Sequence, residues 1–153
     1  MNIRPARELE AEELSALARE AKAHWGYSAE TIASWNRELS VSGRDIAAQP
    51  TFLVEVEGRI AGFYSLRPSS RAWEIDHLWV RPSFMRRGIG RALVTHALEA
   101  AASKGAASVI VDADPNAETF YRACGAIRYG EVPAPIPGQP GRVRPQLEFR
   151  ARG

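Results

Sequence analysis

The 153-residue chain is poor in three things, and each shortage narrows what it can be. Cys124 is its only cysteine, so no internal disulfide can close, and a reducing cytoplasm is the expected setting. No apolar run approaches the ~20 residues of a membrane-spanning helix, and the opening "MNIRPARELEAEE" has no signal-peptide core, so no membrane partner is expected. Lysine is scarce: Lys22 and Lys104 are the only two, and arginine supplies the rest of the positive charge. The net charge of +2 is too small to argue for a nucleic-acid partner, and no Cys/His spacing suits a metal. What is present, 45% hydrophobic and 25% charged residues, suits one domain over residues 1–153.

Periodicity orders the elements. "MNIRPA" predicts a short strand, and "ARELEAEELSALAREAKA" a helix with Leu14, Leu17, Ala18 and Ala21 on its buried face. Ser28 caps a second helix carrying Ile32, Trp35 and Leu39, and "SVSGRDIAAQP" reads as a polar connection. "TFLVEVEGRIAGFYSL" is two strands about a Glu57–Gly58 turn, "RPSSR" the next turn, and "AWEIDHLWV" a third strand. A helix with Ile89, Leu93, Ala97 and Ala101 aligned follows and closes at Lys104–Gly105. "SVIVD" reads as a strand covered on both faces, and "DPNAETFYRACG" as a helix capped by Asp114 and ended by Gly125. After a Pro- and Gly-rich stretch, "VRPQLEF" is a final strand. The fold class is α/β (α+β), a mixed, mostly antiparallel sheet of about six to seven strands flanked by about four helices.

The oddest stretch is "RRGIGRALV", residues 86–94, where glycines open a helix behind two arginines. Glycine costs a helix roughly 1 kcal/mol relative to alanine, so close approach to the backbone is expected there. A strand entering a helix through such a turn is an anion site, because the first helical N–H groups have no partner. Neither the Walker A pattern nor the dinucleotide fingerprint fits "GIGRALVT".

The segment "LWVRPSFMRRGIGRAL" instead resembles the signature of the GNAT superfamily of N-acetyltransferases: a strand ending in Val-x-Pro, then Q/R-x-x-G-x-G/A opening a helix. Ala117, Tyr121 and Gly125 in "DPNAETFYRACGA" are similar to the family's second element. Met85 stands where Gln or Arg is usual, Asp114 where Asn is common with Asn116 beside it, and Ala126 where an aromatic is usual. The resemblance covers nearly the whole chain. It implies acetyl-CoA as cosubstrate, its pyrophosphate on the amides of Arg86, Arg87, Gly88, Ile89, Gly90 and Arg91. It also implies carbonyl stabilisation by main-chain N–H groups of Leu78, Trp79 and Val80, with Asp114, Asn116 and Tyr121 beside the cofactor.

The implied reaction is direct transfer of an acetyl group to a primary amine in a ternary complex. A lysine-type amine is only about one part in a thousand neutral at physiological pH, so a base is needed. Glu74, six residues before Val80, holds the family's position for one, with Asp76 as the alternative; by alternation His77 points to the other face unless a bulge intervenes. Tyr121 is the implied acid for the leaving thiolate, and Cys124 reads as core. The acceptor, a small molecule, a peptide N-terminus or a lysine, is expected near "HWGYS" and "PGQPGR". His24, Trp25, Tyr27 and Asp76 are the candidate substrate residues, Trp35 is ranked below Trp25 and Tyr27, and Arg142 in the "PGR" turn could meet a substrate carboxylate but reads more simply as a solvated loop residue. A non-catalytic acyl-CoA-binding sensor or regulatory module is the alternative, and homodimerisation stays open.

Overall fold

The structure, a computed structural model, describes residues 1–70 and 72–150. Its strands are β1 (Asn2–Pro5), β2 (Thr51–Val56), β3 (Arg59–Pro68), β4 (Trp73–Val80), β5 (Ser108–Asp112), β6 (Ile127–Pro133) and β7 (Val143–Arg150). Its helices are α1 (Ala11–Ala23), α2 (Ala29–Ser34), α3 (Asn36–Leu39), α4 (Gly43–Ala48), α5 (Ile89–Ser103) and α6 (Glu118–Ala123). The strands form one sheet in the order β1-β2-β3-β4-β5-β7-β6, antiparallel except between β4 and β5. No described helix is long and apolar enough to cross a membrane.

Two apolar layers enclose the sheet. Leu14, Leu17 and Ala18 of α1 bury against Leu53, Ile60 and Phe63, whereas Ile89, Leu93, Ala97 and Ala101 of α5 bury against Val54, Tyr64, Ile75 and Val109. The 3.6-residue period of both helices is thus fully spent on the core. β3 sits between the layers and is buried almost end to end, as an apolar run interrupted only by Ser65 requires. β5 differs from expectation: Val109 and Val111 are buried, but Ile110 on the opposite face is only partly covered.

Other differences are local. The segment expected as one Ser28-capped helix divides at Trp35 into α2 and α3. "SVSGRDIAAQP" is not a connection, because Ser42 and Asp45 form a reciprocal capping box that starts α4. These short helices raise the count from about four to six. The segment from Ile127 to Pro133 forms the edge strand β6, whose alternating exposure hides it among prolines and glycines. The "RPSSR" turn includes Arg71, which lies outside the described residues.

Two backbone features position the site. β4 pairs with β5 only at Trp73–Val109 and Glu74–Ile110, after which the two strands part. On its other side β4 follows β3 with a register shift, Ser65 facing His77 and Leu66 facing Ile75, which leaves Asp76 as the extra residue of a bulge. Alternation is therefore broken: Ile75, Leu78 and Val80 pack in the α5 layer, whereas His77 and Trp79 turn to the α1 side.

At Gly90 a Cβ would lie 3.0 Å from ring carbons of Phe120 in α6. Gly90 thus lets α5 and α6 approach each other. Gly90→Val is expected to lower stability by about 1–3 kcal/mol through overpacking. Phe120→Ala in the same chain should recover part of that loss in chemical melts. Losses that simply add would contradict this contact.

Candidate functional site

The opened strands face a cleft of about 1090 Å³ that reaches the glycine turn before α5 and the segment between β6 and β7. Its first resource is backbone. Arg81 N–H donates to the Ala61 carbonyl at 2.7 Å, so the antiparallel alternation turns the amides of Trp79 and His77 toward β3. The amides of Leu78 and Val80 then point the other way, to the side β5 has left. Of the three expected donors, Trp79 is the one committed to the sheet.

The second resource is the turn from Arg86 to Arg91. Arg86 (φ 65°) and Gly88 (φ 78°) are both left-handed, a conformation that costs a non-glycine residue about 1 kcal/mol. Nothing lies within 4 Å of where a Cβ of Gly88 would be, so this glycine answers to backbone conformation. The first return bond is Ala92 N–H to the Gly88 carbonyl, and no amide from Arg86 to Arg91 has a protein acceptor among the described residues. With the positive end of the α5 dipole behind them, these amides form an anion cradle. Arg86 and Arg91 also line the cleft, whereas the Arg87 guanidinium lies over the Phe84 ring, 5.2 Å from its centre, and offers only its amide.

The third resource is acidic. Arg67 spans Glu74, through Nε and Nη2 at 3.2 Å each, and Asp76 at 3.3 Å, so one guanidinium fixes both carboxylates in the cleft wall. His77 joins them because of the bulge. Its Nδ1 accepts from the Trp79 indole N–H at 3.0 Å, which assigns its ring hydrogen to Nε2. Burial pushes its pKa down, only partly opposed by Asp76 and Asp45, so the ring is neutral at pH 7. Tyr121, nearly buried between Phe120 and Phe149, lines the cleft with a phenol that has no hydrogen-bond partner among the described residues. Burial also pushes that phenol's pKa up, so it keeps its proton.

The fourth resource is a cluster that sequence reasoning missed. Asp114 Oδ2 accepts from Lys22 Nζ at 2.5 Å, from the Tyr27 hydroxyl at 2.8 Å and from Arg142 Nη2 at 3.3 Å. Its Oδ1 takes the backbone and side-chain amides of Asn116 at 2.8 and 2.9 Å. Burial raises the Asp114 carboxyl, but these donors outweigh it and hold the pKa below the ordinary carboxylate value. Lys22 and Arg142 both lie close to the Trp35 ring, 4.5 and 5.3 Å from its centre. Burial lowers the Lys22 pKa despite Asp114, with Arg142 and Arg144 adding to that effect.

Several expectations are corrected here. Asp114 lies in the cleft wall, but its carboxylate is engaged with protein, and Asn116 is tied to it outside the cleft. His24 is exposed and off the cleft, and Tyr27 stands behind it with its hydroxyl committed to the cluster, whereas Trp25, Trp35 and Asp76 line it. Arg142 is buried, not solvated. A signal for Lys22 existed, since it continues the buried stripe Leu14–Ala18 at one further i+4 step.

A family model described as acetyltransferase (GNAT) family matches residues 14–126. A GCN5-related N-acetyltransferase from Rhodopseudomonas palustris has a similar structure at 23% identity, with 98% of this chain and 95% of that one covered and a TM-score of 0.80. The PaiA N-acetyltransferase from Thermoplasma acidophilum, in complex with coenzyme A, is similar at 21% identity over 98% of both chains, TM-score 0.79. YncA from Salmonella typhimurium, with its cofactor acetyl-CoA, is similar at 16% identity over 98% and 93%, TM-score 0.72. At such identities the likeness is one of fold. No curated protein matches this chain in sequence.

Asp114→Asn leaves Lys22 and Arg142 buried without a counter-charge and is expected to cost about 3 kcal/mol at pH 7. A carboxyl whose folded pKa is depressed stabilises above its unfolded value, and that stability is lost as pH falls through the folded pKa. The gap between wild type and variant in urea melts should therefore narrow in strong acid. A gap independent of pH would contradict the ionic role.

Proposed function

Because this chain belongs to the GNAT acetyltransferase family, we propose that it moves the acetyl group of acetyl-CoA to a primary amine bound in the same cleft. The observation that carries this reading is the pair of free-amide sets on one cleft wall: Leu78 and Val80 on β4, and Arg86 to Arg91 before α5. The second set fits a pyrophosphate, with Arg86 and Arg91 adding charge. The first fits the carbonyl end of the same extended molecule.

Bound acetyl-CoA supplies an activated thioester, and the chain's residues do the remaining work. Glu74, with Asp76 as the alternative, takes the proton of the acceptor ammonium directly or through a water. Arg67 keeps both carboxylates in place for it. The amides of Leu78 and Val80 donate to the thioester oxygen as it gains charge, a contribution of ~2.7–4 kcal/mol for each well-aimed donor. Tyr121, kept protonated by burial and with its hydroxyl free of protein partners among the described residues, gives its phenolic proton to the departing sulfur.

With an acceptor identified by thiol release, Tyr121→Phe should lower kcat by about 10²-fold or more while leaving the KM for acetyl-CoA nearly unchanged. Normal turnover of that variant would remove Tyr121 from the acid role. Gly88→Glu, which strains the turn and sets negative charge in the cradle, should abolish stabilisation by acetyl-CoA in thermal melts. Binding of acetyl-CoA without thiol release for any amine would favour the sensor module instead.

A further inference from the structure

The cleft carries separated charge, and that separation bears on what the acceptor is. At the end built by α1 and the segment before β7, two cations share one carboxylate: the side chains of Lys22, Arg142 and Asp114 are 12%, 4% and 6% exposed. Such a group holds a net positive charge out of water, which is costly unless an anion compensates it. Arg144 adds to that charge, although it has Asp112 at 3.9 Å. Donors also remain unspent. Arg142 Nε–H is buried with no partner among the described residues, and Lys22 makes a single hydrogen bond with its three N–H groups. Both residues line the cleft, each close to the Trp35 ring that also lines it. On β4 the balance is reversed, since Glu74 and Asp76 share the one guanidinium of Arg67.

Resting on the acetyltransferase reading, we infer that the acceptor is a small amine that also carries a carboxylate, its anionic end on Lys22 and Arg142 and its amine toward Glu74 and Asp76. The two cations then compensate the substrate's negative end, and the acidic pair draws the ammonium to the base. A basic peptide tail or a polyamine meets like charge at the first position. Arg142 lies beyond residues 14–126, so one part of this selectivity comes from a segment that the family match does not reach.

The test compares acceptors in matched pairs by thiol release at saturating acetyl-CoA: the standard amino acids and ω-amino acids of three to six carbons, each against its carboxamide, with polyamines and peptides alongside. The expected result is that the best acceptors are carboxylates and that amidation lowers kcat/KM at least tenfold. Lys22→Met leaves Asp114 and Arg142 as a neutral pair and should shrink that penalty to under threefold, chiefly through KM. If that variant does not fold, stabilisation of the wild-type protein with CoA by N-acetyl amino acids, against their amides, reads the same preference. Equal use of amides, better use of polyamines or peptides, or no use of any carboxylate-bearing amine would overturn the inference. Stabilisation by acetyl-CoA separates the two claims: if it is present without a carboxylate preference, only this inference fails, and if it is absent, the acetyltransferase reading fails as well.

Discussion

The parting of β4 from β5 after two paired residues governs the rest of the structure, because it leaves peptide groups in mid-sheet without partners. Unpaired backbone donors removed from water are expensive, and a sheet normally closes over them. Here the fold holds them open. β3 holds β4 through one set of amides while the other set, Leu78 and Val80, faces the cleft. The layers on either side are fixed independently, α5 and α6 by the contact of Gly90 with Phe120, and α1 by its buried leucines. The opening is therefore part of the packed architecture.

Charge is arranged around that opening with different partners for each task. The turn before α5 offers amides and arginines with no protein counter-charge at the amides, so a polyanion fits there. On β4 the bulge at Asp76 brings Glu74, Asp76 and His77 to one region and sets them within reach of a single arginine. The cluster of Lys22, Asp114 and Arg142 ties α1, the end of β5 and the start of β7 together across the cleft. That last group is both a brace and a source of uncompensated charge, and its loss should affect stability and acceptor choice together.

How much of this was legible in the sequence depended on range. The faces of α1 and α5, the Glu57–Gly58 hairpin and the Gly105 and Gly125 helix ends are local features, and periodicity and turn chemistry reveal them. The anion turn was legible for the same reason, although one of its two glycines proved to serve packing against Phe120, some thirty residues away. The acceptor side was not legible. Asp114 reads as a helix cap, which it is, but its other oxygen meets side chains about ninety residues earlier and nearly thirty later. No local pattern announces such a meeting. Arg142 looked solvated because prolines and glycines surround it, and β6 was hidden by the same composition.

The central claim is that two sets of unpaired amides form one binding wall, and residue-resolved hydrogen exchange of the backbone tests it most directly. In the free protein Leu78, Val80 and the amides from Arg86 to Arg91 should exchange fast, while His77 and Trp79, committed to β3, are protected. Acetyl-CoA should slow the first group and leave the second nearly unchanged. Protection of Leu78 and Val80 without ligand, or no response of either set to acetyl-CoA, would contradict the account.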